Sequence, residues 1–289
     1  MRKTIDPRFL FQEADPDGKA ALPQSLEKDV LIGGERVLME LYLPSGYFPG
    51  PHPTVILCHG IPGTTNNDDL AQDLRRMGCA VLRPYHRGAW GSGGTYSFTH
   101  CIEDTLFLAR WVQDPVRQDV FHLDPDNLFL AGHSNGGNTV IQTSKQLPFL
   151  RGSIAFCPFD HLAYAQAFGQ AELEAMFKEC SPVLHLESLE ALCQDSREHA
   201  AAWDFAKAAS WFQDRNLLLI GGEKDPVAPP KLMVDRLWQA LSQHPTKAHH
   251  KKVIFPSNHS LDNARLALSQ TIGTWIAEIV NGIEPENKD

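Results

Sequence analysis

Three residues of this 289-residue chain stand where strand-like sequence gives way to loop. Ser134 lies in Gly132-His133-Ser134-Asn135-Gly136, Asp225 in Gly221-Gly222-Glu223-Lys224-Asp225-Pro226, and His259 in Pro256-Ser257-Asn258-His259. A serine hydroxyl is a poor nucleophile until a base takes its proton. That base is usually an imidazole, oriented by a carboxylate on its other nitrogen. The three residue types together point to acyl transfer through a covalent intermediate. Asp225 is the preferred acid because it follows its strand by a few residues, with Glu223 and Asp160 in reserve. Among thirteen histidines, His259 alone follows the last strand and precedes the last helix. The His249-His250 pair precedes that strand, at the opposite edge, and Asp262 reads as a helix N-terminal charge.

The elements that must position these residues follow from local pattern. Leu128-Phe129-Leu130-Ala131 is a short apolar run typical of a buried strand, and a helix-compatible segment follows Ser134. A strand that turns at once into a helix strains its central residue and brings the positions two either side into contact. Both must then be glycine or very small, the nucleophile-elbow pattern. Further strands are predicted at 29–33 and 36–43 (a hairpin), 54–58, 80–82, 153–157, 216–220 and 252–255. Helices are predicted with Leu70, Leu74 and Met77 on one face, ended by Gly78, and at 99–112, 229–241 and the C-terminal stretch with Leu268, Ile272, Trp275, Ile276 and Ile279. This alternation predicts an α/β fold with a mostly parallel sheet of eight strands and helices on both faces. Residues 1–28 read as a loosely packed N-terminal extension, and 29–160 with 215–289 as the core domain. Residues 161–214 lack a strand signal and read as a small helical cap insertion with nine acidic and three basic residues.

Composition narrows the function. With 26 basic and 35 acidic residues, the chain is not expected to have nucleic acid or an anionic membrane as its partner. No apolar run is long enough for a membrane span. Six scattered cysteines and an N-terminus without an apolar signal region suggest a reduced, cytoplasmic protein. There is no phosphate loop and no dinucleotide fingerprint, since Gly91-Ser92-Gly93-Gly94 has the wrong spacing. No cofactor and no metal are expected.

The order Ser134, Asp225, His259 is similar to that of the α/β-hydrolase superfamily. The motifs His59-Gly60-Ile61-Pro62-Gly63, Gly132-His133-Ser134-Asn135-Gly136, Gly221-Gly222-Glu223-Lys224-Asp225 and Asn258-His259 carry that resemblance from about residue 29 to 280. Within the superfamily the chain resembles dienelactone-hydrolase-like and prolyl-oligopeptidase-related serine hydrolases and small capped bacterial esterases. Relatives that cleave haloalkanes or epoxides have aspartate at the elbow, so Ser134 implies acyl transfer. The resemblance also implies an oxyanion hole formed by the backbone N–H of Asn135, at a helix N-terminus, and of Ile61; Pro62 has no N–H to offer. Arg87 and Trp90 match a loop beneath the site in relatives, where Arg87 reads as a structural ion-pair partner.

The expected function is a serine carboxylesterase acting on a small-molecule ester. The alternative is a peptidase or amidase, in which a cap glutamate such as Glu172 or Glu174 holds a substrate ammonium. A third reading, a hydrolase fold used only for binding, is disfavoured by the complete Ser, Asp and His set. Trp90, Phe159, Phe168 and Trp203 are candidates to line the substrate pocket. Oligomeric state is left open.

Overall fold

The computed structural model describes residues 4–15 and 17–283. In chain order the elements are Gln24–Ile32 (β1), Glu35–Leu43 (β2), His52–Cys58 (β3), Asp68–Arg76 (α1), Ala80–Pro84 (β4), Phe98–Val112 (α2), Pro115–Phe121 (α3), Leu123–His133 (β5), Asn135–Ser144 (α4) and Gly152–Phe156 (β6). Four helices follow: His161–Phe168 (α5), Gln170–Cys180 (α6), Leu189–His199 (α7) and Phe205–Phe212 (α8). The chain then returns to Leu217–Gly222 (β7), Pro230–Leu241 (α9), His250–Phe255 (β8) and Arg265–Val280 (α10).

The eight strands form one sheet in the order β1-β2-β4-β3-β5-β6-β7-β8. Only the β1/β2 and β2/β4 pairings are antiparallel. From β4 to β8 the strands run parallel, so each returns through a helix laid on one face or the other. Alternation along the strands sorts the core. Val55, Leu57, Phe129, Ala131, Ile154 and Phe156 face α1 and α10. Ile56, Cys58, Leu128 and Leu130 face α2 and α4, and Ala155, Leu217 and Leu219 face α8 and α9. Both faces being covered, the central strands β3 and β4 are buried without a break.

Three expectations change. The N-terminal segment is not loosely packed: Ile5 and Leu10 are fully buried in the α1/α10 layer, and Asp6 N–H donates to Met77 O at 2.8 Å. The first strand starts at Gln24, five residues before Asp29, because its alternating, half-exposed residues pair along the whole of β2. An additional helix, α3, opens on Pro115 with Asp114 accepting from Val116 N–H, an N-cap and first-turn proline that the sequence displays in Asp-Pro.

Parallel strands share a direction, so the loops beyond the ends of β3, β5, β6, β7 and β8 collect along one edge. Those loops carry His59–Gly63, Ser134, Cys157–Asp160, Asp225 and His259. Between β6 and β7 the chain spends its length on α5 to α8, which lie against the same edge through Phe159, Leu173, Phe177, Leu192 and Trp203.

Candidate active site

Ser134 stands between the last residue of β5 and the first of α4, with φ 57° and ψ −122°. A non-glycine residue at positive φ is held there only when its surroundings over-determine it. The glycines supply that constraint. A methyl group on Gly132 would sit 2.1 Å from the Gly136 carbonyl oxygen, and one on Gly136 would sit 2.4 Å from Cys58 O. Ser134 N–H donates to Phe156 O at 3.1 Å, and Ser134 O accepts from Gly137 and Phe159 N–H. The turn is thereby pinned to β6 and the loop that follows it, and Ser134 is buried.

His259 and Asp225 meet across the loops of β8 and β7. His259 Nδ1–H donates to Asp225 Oδ2 at 2.7 Å, while Asp225 Oδ1 accepts from Val227 and Ala228 N–H, each at 2.8 Å. Burial alone would raise the Asp225 pKa. The His259 hydrogen bond and charge, with the two N–H groups, outweigh it and hold the carboxyl below its usual range. An ionised Asp225 keeps the proton on Nδ1 and leaves Nε2 of His259 as the acceptor nitrogen. His133, which precedes the serine, donates through Nε2–H to His259 O at 2.8 Å, and the two rings lie 4.8 Å apart. Burial, and then the neighbouring imidazole, push His133 down to about 3 and keep it neutral. Ser134 Oγ is not hydrogen-bonded to His259 among the described residues.

The loop after β3 passes directly over the elbow. A methyl group on Gly60 would meet Ser134 Cβ at 2.9 Å, so only glycine permits this approach. His59 lies beneath it: Nδ1–H donates to Gly60 O at 2.7 Å, and Nε2 accepts from His86 N–H at 3.2 Å. Burial, followed by the charge on His86, lowers His59 to about 3. Under this loop Asp104 is fully buried, accepting from Arg87 N–H at 2.9 Å and Arg87 Nε–H at 2.6 Å, with His86 Nδ1 3.5 Å away. Burial opposes charge on His86, but Asp104 overcomes it and raises His86 to about 9. Arg87 is thus a structural ion-pair partner, bonded also to Glu103. Asn135 N–H, at the first position of α4, has no acceptor one turn back in its own helix, and Ile61 occupies the facing loop.

The other candidates are scattered. Asp160 is a fully buried cap for the first turn of α5, accepting from Ala163 and Phe205 N–H, both at 3.0 Å; it does not approach His259 through a hydrogen bond. Glu223 is exposed. Asp262 accepts from Asn258 Nδ2–H at 2.7 Å and lies ahead of α10 rather than in it. His250 donates toward Phe212 O and Arg215 O at the opposite edge. Phe159 and Trp203 are buried where helices α5 to α8 meet the core. Phe168 is exposed on α5, its ring tilted against Tyr164 with centroids 4.8 Å apart. Trp90 is partly exposed and donates to Pro62 O at 2.8 Å. With Gly63, Thr64, Tyr85 and Leu38 it lines an open cleft of about 680 Å³ whose walls do not include Ser134, Asp225 or His259. Glu174 is already bonded to Gln170 and Arg197.

Sequence reasoning missed His161 as a neighbour of the site. His59 and His133 stand in the motifs quoted above, where His59 reads as structural and His133 was given no role. His161 follows Asp160 at the start of a helix and offers no such signal.

Residues 49–204, more than half of the chain, match the family described as serine aminopeptidase, S33. Among curated proteins, lysophosphatidylserine lipase ABHD12 of Danio rerio is 28% identical over 103 residues, 35% of this chain and 25% of that protein. The chain thus spans about a quarter of the length of that curated relative. Among solved structures, a 2,6-dihydroxy-pseudo-oxynicotine hydrolase is similar at TM-score 0.68 and 19% identity, over 89% of this chain and 69% of that one. A puromycin hydrolase is similar at TM-score 0.68 and 18% identity, over 94% of this chain and 41% of that one. Est1E from Butyrivibrio proteoclasticus is similar at TM-score 0.63 and 14% identity, over 88% of this chain and 99% of that one. At these identities the structural likeness concerns the fold.

Proposed function

The chain belongs to the serine aminopeptidase S33 family of α/β hydrolases, and from that premise we propose that it cleaves carboxylic esters through an acyl-enzyme, with Ser134 as nucleophile, His259 as base and Asp225 as its orienting acid. The carrying observation is the 2.7 Å bond from His259 Nδ1–H to an ionised Asp225, on the same sheet edge as a serine held at φ 57°. In this reading His259 Nε2 takes the Ser134 proton as Oγ attacks the carbonyl carbon. The C=O electrons move onto the oxygen, whose charge is met by the N–H groups of Asn135 and Ile61. When the tetrahedral intermediate collapses, His259 returns the proton to the leaving alkoxide. A water then repeats the route and releases the acid. Each oxyanion donor contributes about 3 kcal/mol to lowering the barrier.

Cleavage of an amide or aminoacyl bond is the second reading, favoured by the description of the family and by the likeness to a puromycin hydrolase. An ammonium held by Glu174 is not part of it, because that carboxylate already pairs with Arg197. The decisive experiment presents one acyl group as an ester and as an anilide to the purified protein and to Ser134→Ala. Turnover of the ester alone, abolished in Ser134→Ala, is expected. Anilide turnover at a comparable kcat/KM moves the assignment to the amidase reading, and hydrolysis surviving in Ser134→Ala removes both.

A further inference from the structure

Behind the elbow runs a line of buried polar groups that the reaction above does not use. His161, the first residue of α5, is fully buried and touches two polar partners. Its Nε2 lies 3.1 Å from Asn135 Oδ1 and its Nδ1 2.8 Å from Ser196 Oγ on α7. Asn135 Nδ2–H in turn donates to Tyr96 OH at 3.3 Å. Asn135, Ser196 and Tyr96 are likewise all but inaccessible to solvent. Around the imidazole stand Phe98, Phe159, Trp203 and Phe177, with ring centroids 4.5, 5.5, 5.6 and 5.7 Å away.

The chemistry of the partners orients the line. With Asn135 Nδ2 assigned to the tyrosine, Oδ1 faces His161 and can only accept, and His161 Nε2 carries the proton. A neutral imidazole then accepts at Nδ1, from the Ser196 hydroxyl. Burial holds His161 down to about 3, so it stays neutral at any pH at which an enzyme of this kind works. Each member of the line has its partner. Deleting one leaves the next unpaired in an apolar cage, at a cost no water relieves.

We propose that His161 is a positioning residue for the reaction: through the Asn135 side chain it fixes the first turn of α4, and hence the Asn135 N–H at the oxyanion, and it ties that turn to α5 and α7 of the helical insertion. This rests on the Ser134 reading above. It assigns the helices between β6 and β7 a part in the chemical step, apart from any part in holding substrate. A small displacement of a donor is enough to matter, because misplacement by about 1 Å costs on the order of 100-fold in rate.

The test compares His161→Leu, His161→Gln, Ser196→Ala and Asn135→Ala. Each rate is divided by the number of active sites titrated with an organophosphonate. Leucine removes both hydrogen bonds; glutamine can donate to Asn135 and accept from Ser196. His161→Leu is expected to lose about 10- to 100-fold in kcat with KM within about threefold, and His161→Gln to recover most of it. The pH profile keeps the wild-type shape, since His161 does not titrate in its range. Combining His161→Leu with Asn135→Ala, which keeps the backbone N–H, is expected to cost little more than either alone. Unchanged kcat per titrated site in His161→Leu, equal losses in the leucine and glutamine variants, or additive losses in the double variant would overturn the proposal. If His161→Leu does not fold, Ser196→Ala decides: a reduced kcat at unchanged KM supports the relay, and wild-type kcat ends it. Ser134→Ala in the same assay separates the two claims, because its inactivity beside a fully active His161→Leu sinks the relay and leaves the nucleophile in place.

Discussion

At the scale of single residues, the proposed reaction depends on which nitrogen of one imidazole carries a proton. Asp225 accepts two backbone N–H bonds on Oδ1 and the His259 Nδ1–H on Oδ2, so its ionised state and its orientation are both set by the chain around it. Asp225→Asn keeps Oδ1 on Val227 and Ala228 but turns an NH₂ toward His259 Nδ1. The imidazole must then present a lone pair there and carry its proton on Nε2, where it cannot receive the Ser134 proton. The expected outcome is a fall of roughly 10³- to 10⁴-fold in kcat with a thermal midpoint close to wild type, measured by ester turnover and by melting. A variant with wild-type kcat would show that Asp225 does not orient the base.

At the scale of elements, the elbow is a contact between the end of β5, the first turn of α4 and the end of β3. Gly132 and Gly136 are needed because their backbones touch other backbone atoms, which cannot move aside as a side chain can. Gly132→Ala places its methyl 2.1 Å from Gly136 O. It is expected to destabilise the protein by more than about 2 kcal/mol and to abolish turnover, read from urea unfolding and the ester assay. Gly169→Ala is the contrast. That glycine precedes α6 at φ 98° with nothing within 4 Å, so its substitution strains one residue without a clash and leaves the site alone. A Gly132→Ala variant as stable as wild type would mean that the elbow is not the tight turn drawn here. The helices between β6 and β7 are fastened to the same turn from the other side, through Gln142 Nε2–H donating to Trp203 O at 2.9 Å and through His161.

At the scale of the whole molecule, buried imidazoles govern the response to acid. His59, His133 and His161 are held down to about 3 and His52 to about 4, chiefly by burial. In the unfolded chain such groups titrate near ~6.5. Between that value and their folded values only the unfolded state binds the proton, so stability falls as pH falls, by up to about 1.4 kcal/mol per pH unit for each group. His86 acts in the opposite direction. Raised to about 9 beside Asp104, it stabilises the fold fully below the unfolded value and loses that contribution as pH rises toward 9. A urea midpoint markedly lower at pH 5 than at pH 7 is therefore expected. A midpoint that does not change between those values would show that these imidazoles are not buried neutral.

The residue order alone determined the α/β class, the parallel strands, the glycine-flanked turn at Ser134, and the placement of Asp225 and His259 after successive strands. Those features arise within about ten residues of chain, from strand periodicity and from sterics at one turn, and such short-range rules act without knowledge of the rest. Only the tertiary structure decided that Ile5 and Leu10 belong to the core, that Asp160 is a helix cap, that Glu174 already has a cation, and that His161 bridges Asn135 and Ser196. Each of those depends on which elements pack together, and no local pattern carries that information. A buried polar group takes whatever partner the packing brings, and here the partners of His161 lie 26 and 35 residues away.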